Sequence, residues 1–118
     1  MRLKHCLTAI LLSALYAQAN AQTVRHGKRQ LAGTTSEYVE DGEKLRMTID
    51  LRGRYIETNA RGVVTARGTA VMKGAKDCFT PVKSKDGEHC WTSAPLEVGE
   101  SMVSISDKGE KLKVTRVK

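Results

Sequence analysis

From Leu45 onward the chain alternates. Leu45, Met47, Ile49, Leu51, Gly53 and Tyr55 stand two apart, with Lys44, Arg46, Thr48, Asp50, Arg52 and Arg54 between them. Successive side chains of a strand point to opposite faces, so the pattern describes a strand with one apolar and one charged face. After Glu37 no long stretch keeps helical spacing, and Val, Thr and Ile are frequent, as strands favour. A sheet is the structure such a chain can form.

A second strand is expected from Val63 to Lys73, with Val64, Ala66, Gly68, Ala70 and Met72 on one face. Asn59 to Gly62 between the two has turn chemistry. An even-length loop there sets Tyr55 against Val64, Leu51 against Gly68, Ile49 against Ala70 and Met47 against Met72. An odd-length loop would expose one apolar row, because a one-residue slip exchanges the faces. Further on, Cys78 to Val82 reads as a short edge strand, since Pro81 has no amide to donate. Leu96 and Val98 mark another short strand. Met102 to Ser106 and Lys111 to Val117 form a hairpin, with Ile105 opposite Leu112 and Val103 opposite Val114. The fold expected is all-β: a small antiparallel barrel or sandwich of five to six strands, for which an OB-like barrel is one form.

The N-terminus has a different character. Arg2 and Lys4 precede an apolar run from Cys6 to Tyr16, and Ala17-Gln18-Ala19-Asn20-Ala21 offers small residues in A-x-A spacing. That order describes a signal peptide over residues 1–21. The run is about half the roughly 20 residues a membrane span requires. The expected product is therefore an exported chain, periplasmic or secreted, with no transmembrane segment after cleavage. Residues 22–35 carry Arg25, His26, Lys28 and Arg29 without apolar period and read as a flexible basic arm. A small β domain then occupies 36–118.

Of three cysteines, Cys6 falls in the signal. Cys78 and Cys90 remain, and in an oxidising compartment a pair predicts a disulfide. Together with His89 and His26 they lack the paired short spacing of a zinc site. No metal and no cofactor is expected.

Chemistry is sparse. Phosphate loops, nucleophile elbows and H-E-x-x-H motifs do not occur. His26, His89, Lys85, Glu88 and Glu57 could be assembled into a basic, ribonuclease-like hydrolase only if the fold held them together, so the chain reads as a non-enzyme. The formal charge of +7 favours polyanions. In the hairpin above, Lys44, Arg46, Arg52, Arg54, Arg67 and Lys73 leave one side of the sheet. Arg52 falls opposite Arg67, and Arg46 opposite Lys73. Opposed like charges cost stability, which makes these six residues a candidate anion-binding face. The expected partner is an anionic envelope polymer or an acidic protein. Nucleic acid is not expected, because no aromatic residue interleaves with the arginines. The alternative reading is a small secreted inhibitor acting through the Cys78–Cys90 loop.

Overall fold

The structure, a computed structural model, describes residues 28–118. The signal peptide read over 1–21 and the first part of the arm lie outside the described residues. The fold is all-β, as the alternation required, with eight strands instead of five or six: β1 (Thr35–Glu40), β2 (Glu43–Ile49), β3 (Arg54–Asn59), β4 (Val64–Lys73), β5 (Lys76–Pro81), β6 (His89–Thr92), β7 (Ser101–Ile105) and β8 (Lys111–Arg116). Each strand pairs antiparallel with its chain neighbour, and β1 also pairs with β8. The exception is β6 and β7, which meet through one bridge, Trp91 to Ser106. The result is a nearly closed up-and-down barrel whose seam lies between β6 and β7.

Three departures from the expected topology have local causes. The long strand from Leu45 to Tyr55 is two strands, because Asp50 folds the chain back. Its carboxylate accepts from the Arg52 amide (2.8 Å) and the Arg54 amide (2.9 Å), and Gly53 takes φ 81°. Such an Asx turn competes with the ladder. Leu51, expected in the core, sits at its tip and is 86 % exposed. With the turn in place, β3 pairs with β4 so that Tyr55 meets Gly68, Ile56 meets Arg67 and Glu57 meets Ala66. The expected pairs of Tyr55 with Val64 and Leu51 with Gly68 do not form. Ile49 lies opposite Tyr55, not Ala70, and Met47 opposite Glu57, not Met72.

The second departure is the C-terminal hairpin, where Ser104 faces Leu112 and Ile105 faces Lys111. Gly109 at φ 84° builds a three-residue loop, Asp107 to Gly109, closed by the Ser106 amide on the Glu110 carbonyl (2.8 Å). A left-handed residue at the third loop position makes the one-residue offset that a two-residue turn would not. Val103 and Ile105 consequently face outward, while Met102 and Ser104 face the interior. Third, β5 is not an edge. It pairs with β4 and β6, and Pro81 is tolerated as its last residue, beyond the end of β6. Leu96 and Val98 lie in the β6–β7 connection and form no strand.

The described part of the expected arm belongs to the fold. The Gly33 amide donates to the Ile49 carbonyl (2.8 Å), the Ile49 amide to the Thr34 carbonyl (2.9 Å) and the Thr35 amide to the Lys118 carbonyl (3.0 Å). These bonds carry Leu31 across one end of the barrel, where it is buried with Ile49, Tyr55 and Ala70, and Met47, Ala66 and Phe79 pack against the group. Leu31 is the one large apolar residue between Lys28 and Thr35, so periodicity could not reveal that it plugs a barrel. The Arg29 guanidinium lies 3.5 Å from Asp77 at the same end.

Candidate functional site

An eight-stranded barrel has an interior just wide enough to be filled by side chains or to hold one small ligand. Here many inward positions are small. Ser36 on β1, Ala66, Gly68 and Ala70 on β4, and Ser104 on β7 replace the Leu, Ile and Phe that would fill the space. A cavity of about 510 Å³ remains. Tyr38, Tyr55, Phe79 and Trp91, the four aromatic residues of the described chain, all line it. Tyr55 and Phe79 meet edge to face, with ring centroids 5.5 Å apart and planes at 86°. Tyr55 can reach that position because its partner on β4 is a glycine.

The cavity is apolar where Leu31, Ile49 and Phe79 close it and polar towards the end that carries the β1–β2, β3–β4, β5–β6 and β7–β8 connections. At the polar end stand Glu40, Glu57 and Glu110, with the exposed Lys108 beside them. Glu57 accepts the Tyr38 hydroxyl on one carboxylate oxygen and the Thr65 hydroxyl (2.8 Å) on the other. Thr65 reaches it because the β3–β4 register shifts between Glu57 and Thr58. A bulge of this kind re-aims one side chain off the regular pleat. Burial, and then the bond to Glu57, holds the Tyr38 hydroxyl protonated far above the usual tyrosine range. Burial and the neighbouring carboxylates of Glu57, Asp41 and Glu110 raise the Glu40 carboxyl. At the opposite end burial raises Asp77, partly offset by a hydrogen bond from Ser93 and by the charge of Arg29. Arg116 there donates to the Leu96 carbonyl (2.7 Å) and to Gln30 Oε1 (3.3 Å), so the cations of the closed end are occupied.

The six residues expected to form an anion face lie elsewhere, on the outer wall. Lys44 and Arg46 on β2 share the Glu37 carboxylate (3.6 and 3.3 Å), Arg54 on β3 pairs with Asp50 (3.1 Å), and Lys73 on β4 pairs with Glu88 (2.8 Å). Arg52 is in the β2–β3 turn, and Arg67 on β4 faces Ile56. The expected oppositions of Arg52 with Arg67 and of Arg46 with Lys73 are absent: Arg46 stands between Glu37 and Thr58. The like-charge cost that motivated an anion site therefore disappears with the register.

Cys78 and Cys90 are bonded, as expected. They are directly opposite on β5 and β6 with Cα atoms 4.0 Å apart, and Cys78 is 1 % exposed. Among the described residues the one group with metal-ligand spacing is Cys78, Glu88 and Cys90. The disulfide consumes both thiolates that a metal would need. His89 makes no hydrogen bond to a carboxylate among the described residues, and His26 lies outside them. Trp91, read from sequence as core or disulfide packing, is half-buried on the cavity wall.

Comparison of the chain with protein-family models, with curated proteins and with solved structures finds no match. The inward residues themselves carry the functional argument.

Proposed function

We propose that this chain is a non-catalytic exported binding module that holds one small, largely apolar molecule inside its barrel. The observation that carries the reading is the cavity: about 510 Å³ left unfilled by small inward residues, within the range of pockets for small molecules. Aromatic walls with a few placed polar groups are the usual composition of such sites. The outer-wall cations, mostly matched to carboxylates, offer a polyanion less than the interior offers a small ligand. Export is supported by the signal-like N-terminus and by the Cys78–Cys90 bond, since disulfides persist in oxidising compartments. Among the described residues no helix is long and apolar enough to cross a membrane.

Titration of the purified chain with decanol tests the reading, followed through Trp91, the single tryptophan. Saturable quenching or a spectral shift is expected. Ala66→Leu, which places a larger side chain on the cavity wall, should weaken binding roughly ten-fold or more, equivalent to about 1.4 kcal/mol, while circular dichroism stays that of the parent. Unchanged affinity in a folded Ala66→Leu protein would overturn it.

A further inference from the structure

An otherwise basic chain has placed its acidic groups where a ligand's head would lie. Among the described residues, Glu40, Glu57 and Glu110 make no ion pair, and neither does Asp86 of the β5–β6 connection, whereas Asp77 is matched with Arg29, Glu88 with Lys73 and Asp107 with Lys76. Glu57 is held by two hydroxyl donors, Tyr38 and Thr65, which fix its carboxylate without neutralising it. A carboxylate in a partly desolvated wall is stabilised by a cation brought to it. The aromatic lining argues independently for the same charge. Tyr, Trp and Phe faces attract cations through the ring quadrupole, and cages of such rings recognise ammonium groups. Tyr38 and Trp91 line the same cavity as the carboxylates. At the closed end Leu31, Ile49 and Phe79 are apolar and Asp77 is already matched by Arg29, which suits a hydrocarbon or aryl tail and sets the direction in which a ligand enters.

We infer that the ligand is an amphiphilic amine: an apolar tail seated against Leu31, Ile49 and Phe79, and an ammonium head against Glu57 and Glu40. The inference rests on the reading of the cavity as a binding site and adds the charge of what occupies it. No bond is made or broken; the head exchanges water for two carboxylates and the π faces of Tyr38 and Trp91.

The test compares three probes of one chain length, decylamine, decanol and decanoate, below their micellar concentrations, with Trp91 fluorescence as readout. Decylamine should bind roughly ten-fold or more tightly than decanol, and decanoate more weakly than either, in keeping with charge-assisted bonds at a partly buried site. Glu57→Gln and, separately, Glu40→Gln should each cut the preference for decylamine over decanol roughly five-fold or more. The Glu40 variant keeps the test usable if loss of the Tyr38–Glu57 bond disturbs folding. Binding of decanol with no preference for the amine, or a preference for decanoate, overturns the inference and leaves the cavity reading standing. Failure of all three probes overturns both.

Discussion

Joint replacement of Cys78 and Cys90 by Ala lowers the unfolding free energy by about 3 kcal/mol, the loop-entropy value for a closed segment of this length. The two residues are 12 apart in sequence. On a domain of this size that is a fall of roughly 12–24 °C in Tm. The effect is expected to be uneven. Strand β6 has four residues, held to β5 by its ladder and the disulfide. Towards β7 it has the Trp91–Ser106 bridge, the Asp107 amide on the Cys90 carbonyl (3.1 Å), the Ser104 hydroxyl on the Thr92 carbonyl (2.6 Å) and the Ile105 amide on Thr92 Oγ1 (2.9 Å). Once the disulfide is gone, this seam is where the barrel opens first. Hydrogen exchange should therefore accelerate more at Trp91 and Thr92 than at Met47 on β2, because local opening is drawn from the least-tied element. A Tm within about 3 °C of the parent, or exchange that rises equally on β2 and β6, would contradict the assignment of β6 as the weak stave.

Gly68→Ala, on the other side of β5, is expected to be as damaging. A Cβ at position 68 would lie 2.1 Å from the Thr80 carbonyl oxygen and 2.9 Å from the Pro81 Cα. Both are backbone atoms of β5 that cannot step aside without unpairing the strands. The same glycine lies opposite Tyr55, so a shift of β4 also disturbs the Tyr55–Phe79 contact. Overpacking of a close backbone approach costs at least about 3 kcal/mol here, at the upper end of what single insertions do. Gly62→Ala is the control. It has nothing within 4 Å and a φ of 79°, so it should cost only about 1 kcal/mol of backbone strain. Urea unfolding of the two variants side by side measures the difference. Equal, small losses would mean that β4 and β5 are not packed as closely at Gly68 as described.

The sequence made the class of fold legible through alternation alone, and the cysteine pair through the even count that remains after a signal-like N-terminus. Individual registers were less readable, for a physical reason visible at particular residues. Binary patterning assumes that apolar side chains go inside. In this barrel the interior is a cavity wall, so Ser36, Tyr38 and Glu40 of β1 point inward while Val39 points out. On β7, Ser104 is buried and Val103 is 57 % exposed. Matching apolar to apolar across the last hairpin therefore selects the wrong face. β1 itself was unreadable as a strand because its inward residues are polar. The turn at Asp50 could have been suspected from Asp50 and Gly53, which are turn residues, but Leu51 between them completed an apolar row too well. Five of the six cations, Lys44, Arg46, Arg54, Arg67 and Lys73, are exposed residues of β2, β3 and β4, whereas Arg52 lies in the β2–β3 turn. What sequence could not supply was the carboxylates that face them, Glu37 from β1 and Glu88 from the β5–β6 connection, which only the strand pairing brings alongside. The interior site was missed because Tyr38, Glu57 and Trp91 are far apart in sequence and meet only when the barrel closes.

Binding inside the barrel and binding on its charged outer wall leave different marks on the chain. Chemical-shift mapping of the isotope-labelled chain during titration with decylamine decides between them. Inside binding predicts the largest shifts at the methyl groups of Met47, Met102 and Leu112 and at the Trp91 indole, with little change at Ile56, Val103 and Ile105 on the outer face. Shifts confined to the outer wall around Arg46, Arg54 and Arg67, with the interior methyls unmoved, would contradict it.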